Sequence, residues 1–157
     1  VILEYLEETQ PVPLHPATPL ARAHARGWIE FASAMLNGIA RFYGARDQAA
    51  FDAEAAGLGR MADQLEAELN RRSDGDWFGG ANFSLVDAAF APVFRYFESF
   101  EAEAGLRLLD GRPRLSAWRH ALSERPSVQS AVGQDYPERL RQFFVTRGSV
   151  LSARMSG

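Results

Sequence analysis

Residues 77–94 read WFGGANFSLVDAAFAPVF, a glycine-bearing turn joined to the start of a helix. Ser84 is placed to accept a hydrogen bond from the amide of Asp87, and Asp87 to reach back to the amide of Ser84. That is the reciprocal arrangement of a capping box, with Asp in place of the usual Glu. It satisfies two of the donors that a helix start leaves without partners. An apolar helix is expected over residues 85–103. Pro92 lies inside it and removes one backbone bond, at about 3 kcal/mol unless packing absorbs a kink, so a bend is expected there. Gly79 and Gly80 lack the Lys and Ser or Thr of a phosphate loop, so they read as the turn that delivers the chain to Ser84.

Working back from this stretch, residues 47–72 carry Phe51, Ala55, Leu58, Ala62, Leu65 and Leu69 on one seam, with Glu54, Arg60, Asp63, Glu66 and Glu68 outside it. The spacing predicts a helix, ended by Ser73, Asp74 and Gly75. Before it, residues 20–44 place Leu20, Ala23, Trp28, Phe31, Met35, Ile39 and Phe42 at helical spacing. A flanking stripe of Ile29, Ala32, Leu36, Ala40 and Tyr43 widens the apolar arc beyond what one packing contact needs. The remaining side, with Arg26, Glu30, Ser33, Ala34, Asn37 and Arg41, is small and polar and reads first as a solvent face. These two long helices should pair antiparallel.

Thr18 is a fitting N-cap for the first long helix, and Pro19 sits at the first helical position, where a missing N–H costs nothing. Pro11, Pro13, Pro16 and Pro19 make residues 10–18 a linker, expected to be stiff and extended. Residues 1–9 read as the end of a further helix. VILEYLEE opens in the middle of an amphipathic pattern, so more chain is expected upstream of Val1. Toward the C-terminus, shorter helices are expected over 112–124, around Leu115, Trp118 and Leu122, and over 127–132. A single last helix is expected over 137–153, carrying Leu140, Phe143, Phe144, Arg147 and Leu151. With no alternating strand pattern, the fold class is all-α, a bundle of five to seven helices over residues 19–157.

Composition narrows the function. At 157 residues, one core burying roughly 70% of the unfolded surface is the default. The net charge of −3 and the interspersed signs give no basic patch for nucleic acid or an anionic membrane. All 17 basic residues are Arg, a compositional trait, since no cluster of them forms a phosphate fork. With 0 Cys there is no disulfide framework, thiolate metal site or cysteine nucleophile in this segment. No run approaches the ~20 apolar residues of a membrane span, and no signal peptide is visible, so the expected location is cytoplasmic.

The chemical constellations are few. His15, His24 and His120 have no partners at metal-ligand spacing, and no metal is expected. Ser116 and His120 are one turn apart with Asp110 before them, but no strand-turn-helix elbow or oxyanion glycine accompanies Ser116, so a hydrolytic triad is set aside. Glu101 with Glu103, and Asp74 with Asp76, are pairs by count only. Asp87 is the one acid singled out, for a structural role.

The order of VILEYLEE, a proline-rich connection, WIEFAS (residues 28–33) and WFGGANFSLVDAAFAP (residues 77–92) resembles the C-terminal helical domain of a bacterial glutathione transferase. Residues 1–9 would be the last helix of its thioredoxin-like domain. The resemblance implies that the missing half binds glutathione as cosubstrate and supplies the Ser, Tyr or Cys that handles its thiolate, leaving no catalytic residue in this segment. It implies attack of the glutathione sulfur on a small-molecule electrophile, with this domain as the pocket wall. The family's pocket positions fall on Ala34, Asn37, Gly38 and Arg41, with Phe143 and Phe144 as candidates to close it, and Asn37 stands where some bacterial members have a histidine. The doubly apolar first long helix fits the family's homodimer. The alternative is a transferase-like module for dimerisation or protein interaction without turnover.

Overall fold

The computed structural model describes residues 2–72 and 75–156. Among these the helices are α1 (Ile2–Thr9), α2 (Pro19–Gly44), α3 (Gln48–Asn70), α4 (Leu85–Ala104), α5 (Pro113–Glu124), α6 (Pro126–Gln129), α7 (Tyr136–Val145) and α8 (Val150–Met155). The starts follow the capping chemistry. Thr18 Oγ1 accepts from Ala21 N at 3.3 Å, and Asp47 Oδ1 accepts from Ala50 N at 2.9 Å ahead of α3. The C-cap of α3 is Arg71; Ser73 and Asp74, expected to stop it, and Val1 lie outside the described residues.

The α2–α3 hairpin packs on α4, which continues through Pro92 to Gly105, a left-handed cap at φ 65°. Two aromatic groups fill the interior. Phe42 meets Phe51 at 4.4 Å and Phe100 at 5.1 Å between ring centroids, and Phe144 of α7 closes this group at 5.4 Å from Phe100. Trp118 of α5 stands among Phe78, Phe90 and Phe94 at 5.2, 5.0 and 5.1 Å. Offset and edge contacts of this kind add about 0.5–1.5 kcal/mol each to the burial of the rings.

Three expectations are corrected. First, the terminal helix is not continuous over 137–153 but splits into α7 and α8. Gly148 between them has φ 64°, a backbone conformation that costs other residues about 1 kcal/mol or more. Ser149 then caps α8, accepting from Ser152 N at 3.2 Å. The turn brings Val150 N to Ala45 O at 2.9 Å and Ser152 Oγ to Phe144 O at 2.7 Å, clipping the C-terminus over the α2–α3 corner. Over residues 19–157 the described helices are seven, α2 to α8, within the expected five to seven, and α1 precedes them. Second, α6 is shorter than expected, four residues starting at Pro126. Third, the linker is not extended throughout. Glu7 accepts from the successive amides of Leu14 at 2.8 Å and His15 at 3.0 Å, so residues 10–15 double back on α1. Arg26 of α2 donates to Glu4 through Nε at 3.0 Å and Nη2 at 2.6 Å, and His15 Nε2 lies 3.1 Å from the same carboxylate. α1 is thus held by polar contacts and has no buried residue of its own. Ile2, Tyr5 and Leu6 stay exposed.

Candidate functional site

The turn of residues 77–80 closes on itself, with Trp77 N to Gly80 O at 3.1 Å and Gly80 N to Trp77 O at 2.9 Å. Gly80 has φ 101°, which favours glycine. The closed turn presents Phe78 N to Asp87 Oδ1 at 2.8 Å. The same oxygen accepts from Trp118 Nε1 at 2.7 Å. Asp87 Oδ2 accepts from Ser84 N at 2.9 Å and Ser84 Oγ at 2.6 Å. The Ser84 oxygen faces the Asp87 amide in the reciprocal sense of a capping box, but the hydroxyl's tight partner is the carboxylate. With no exposed surface and four donors, Asp87 ties together the turn, the start of α4 and α5. It has no accessible oxygen for a substrate, so its chemistry is architectural. The hydrogen bonds from Phe78 and Trp118 span 9 and 31 residues, and helix-start patterns carry no signal for such distant donors.

The positions expected to line a pocket are spread over distinct environments. Ala34, Asn37 and Arg41 are exposed on one side of α2. Arg41 Nε donates to Glu54 Oε1 of α3 at 2.9 Å, so its guanidinium is steered toward the hairpin partner. Gly38 is buried, and a Cβ added to it would lie 3.1 Å from Leu58 Cδ2. It is a close-approach point between α2 and α3 rather than a surface position. Phe144 is 1% exposed and belongs to the aromatic core. Phe143 is half-buried, edge-on to Tyr43 at 5.4 Å, with the Arg147 guanidinium 3.8 Å above its ring. The structure therefore groups Ala34, Asn37 and Arg41, places Gly38 beneath the Arg41 guanidinium at the contact with α3, and sets Phe143 and Phe144 apart from them. Much of the second apolar stripe of α2 is covered within the chain, as where Tyr43 packs on Tyr96, Phe143 and Phe144.

Two concavities lie elsewhere. Asp110, Ser116 and His120 line a cleft of about 280 Å³ with Glu98, Glu101 and Arg119. Convergence is not a triad here, because the hydroxyl of Ser116 and the ring of His120 show no hydrogen bond to one another. A cavity of about 410 Å³ lies between α4, α5, α6 and α7, with Phe94, Leu122 and Leu140 in its lining. No residue of α2 contributes to it. Among the described residues no group of His, Asp or Glu is arranged to hold a metal ion, and no helix is long and apolar enough to cross a membrane.

The family model for the glutathione S-transferase C-terminal domain matches residues 28–126, from WIEFAS through the Asp87 lock to the end of α5. The chain belongs to the glutathione S-transferase family. It is similar to glutathione S-transferase U25 of Arabidopsis thaliana, 30% identical over 83% of this chain and 58% of that protein. Glutathione S-transferase GstB of Escherichia coli is 33% identical over 73% of this chain and 56% of its own length. Among solved structures, rice GST1 in complex with glutathione superposes with a TM-score of 0.76 at 28% identity, covering 92% of this chain and 66% of that one. The chain therefore spans about 58% of the first of these relatives. The transferase domain seen here is the helical one, with the Asp87 lock at its centre.

Proposed function

We propose that this domain forms the electrophile-facing wall of a glutathione transferase and is catalytic only together with a glutathione-binding thioredoxin-like domain, of which residues 1–9 are the last helix. The observation that carries this reading is α1. Its polar side is fastened to α2 by Glu4, Arg26 and His15, while Ile2 at 75%, Tyr5 at 64% and Leu6 at 41% exposure present an apolar face that is uncovered among the described residues. Such a face marks a surface that another element covers.

In this reading glutathione is the cosubstrate and the thioredoxin-like domain binds and activates its sulfur. The exposed side of α2 faces the electrophile through Ala34, Asn37 and Arg41. Gly38 acts by letting α3 approach, and Phe143 with Phe144 shapes the far edge. The substrate is a small electrophilic molecule, and the protein works in the cytoplasm. The assembly is a two-fold homodimer. The exposed Ala40 of α2 and Ala49, Ala53 and Ala56 of α3 support it, since small side chains let helices from a second copy come close.

The test joins this chain to the coding sequence upstream of Val1 and follows conjugation of glutathione to a chloronitroarene. Turnover is expected from the longer protein and none from residues 1–157. Asn37→Ala and Arg41→Ala in the longer protein should raise KM for the electrophile more than KM for glutathione. A longer protein without turnover that instead captures a protein partner would favour the non-catalytic interaction module.

A further inference from the structure

The clip at the C-terminus gathers arginines that the sequence scatters. Val150 N bonds Ala45 O at 2.9 Å, which seats the start of α8 against the α2–α3 corner. Arg46 follows Ala45, Arg147 stands three residues before Val150, and Arg154 lies one turn of α8 beyond it. Chain geometry therefore keeps all three Cα atoms within about 11 Å of this one hydrogen bond. All three side chains are exposed, and among the described residues none forms an ion pair.

Two of them rest on aromatic rings. The Arg147 guanidinium lies 3.8 Å from the centroid of Phe143 and 5.6 Å from that of Tyr43, and the Arg154 guanidinium lies 4.8 Å from that of Phe51. Stacking fixes a guanidinium while its N–H edge stays available to an anion. Segments 44–50 and 146–156, which meet here, contain one acid, Asp47, and its Oδ1 accepts from Ala50 N at 2.9 Å. Further along α3, Asp52 accepts from Gln48, and Glu54 matches Arg41. A chain of net charge −3 thus carries a local excess of positive charge at one end of its bundle. The expectation of no basic patch holds along the sequence but not around the fold.

The kind of partner follows from what surrounds these charges. Among the described residues the exposed large apolar side chains all fall in residues 2–20, so this end has no apolar centre for a protein interface. The Tyr43 and Phe143 rings are half-buried beneath Arg147, which leaves no open aromatic face for a nucleic-acid base. Three cations set around a corner, rather than in a row along one helix, suit a plane of negative charge. We propose that this end of the bundle docks on an anionic lipid surface, its arginines meeting headgroup phosphates. Each arginine near such a surface is worth about fivefold in partitioning, so three set against one acid give roughly 25-fold. The docking requires neither glutathione nor a further domain, so its failure would leave the transferase reading untouched.

The test is sedimentation of the 157-residue chain with vesicles of phosphatidylglycerol and phosphatidylcholine in equal parts, beside vesicles of phosphatidylcholine alone, at low salt. Partitioning should favour the anionic vesicles by roughly 25-fold and fall to the neutral level at ~1 M salt, where screening acts within about 3 Å. Arg147→Gln should lower it by about fivefold. Arg60→Gln removes the same charge from an exposed α3 position without an ion pair and should leave partitioning unchanged. On nanodiscs bearing a spin-labelled headgroup, amide broadening should centre on residues 44–50 and 146–156, a readout that needs no variant to fold. Equal partitioning to neutral vesicles would assign the binding to the apolar face of α1 and overturn the proposal. So would a loss in Arg60→Gln as large as that in Arg147→Gln, broadening centred on residues 2–20, or tighter binding to duplex DNA at equal phosphate and salt.

Discussion

At the scale of single residues, Asp87 does more than cap a helix. Its side chain was legible as half of a capping box because Ser84 and Asp87 stand at the required spacing. Its second oxygen was not, because Phe78 N and Trp118 Nε1 reach it only after the turn and α5 are in place. The consequence is a larger penalty than a cap alone implies. Asp87→Ala would bury three N–H donors without partners, at about 1–3 kcal/mol for each. A loss of about 3 kcal/mol or more is expected, lowering the melting temperature by roughly 6–12 °C. Asp87→Asn should cost nearly as much, because its amide offers one acceptor oxygen where the donors need two. Trp118→Phe keeps the ring and removes one donor, so about 1–2 kcal/mol is expected in a urea titration. If Asp87→Ala melted within 2 °C of the parent, the lock would not carry the weight given to it.

At the scale of elements, the long helices were readable from apolar spacing plus caps. Thr18 with Pro19 and Ser84 each begin a helix where a capping residue is expected, whereas Asp47, read from spacing as the first residue of its helix, is the N-cap of α3. The C-terminal elements were harder to read. Leu140, Phe143, Phe144, Arg147 and Leu151 keep helical spacing across the break, and the periodicity conceals it. The overlooked signal is Gly148, an isolated glycine near a helix end, the usual place for a left-handed residue. Gly148→Ala should therefore destabilise by about 1 kcal/mol, although alanine is the better helix former. Ser152→Ala, which removes the hydroxyl bonded to Phe144 O, should cost about 1–2 kcal/mol and speed amide exchange in residues 150–155 first. The cavity beside α7 had no sequence signature at all. Its walls come from four helices, and the gap between them depends on crossing geometry.

At the scale of the whole molecule, the attachment of α1 depends on charge and therefore on pH. The hydrogen bonds from Arg26 and then His15 hold the Glu4 carboxyl at about 2, against an ordinary 4.5. A depressed value means that the contact contributes fully above pH 4.5 and fades as pH falls toward 2. Glu7 is shifted the same way: burial raises it, but the amides of Leu14 and His15 outweigh that. Pepsin digestion across this range should cut within residues 1–18 before the bundle opens. Glu4→Gln digested at pH 4.5 should already show the early cut, and an unchanged pattern there would detach the effect from this carboxylate. The bundle itself rests on buried rings and the Asp87 lock, so it should outlast the release of α1.

The placement of Trp118 has an experimental benefit. Its indole is 3% exposed, surrounded by phenylalanine rings, and its N–H is engaged by a carboxylate. Its emission should lie at the blue end of the tryptophan range and move red when the lock opens. The residue that secures the turn, α4 and α5 thus supplies an intrinsic optical probe of their joint state, with no label added.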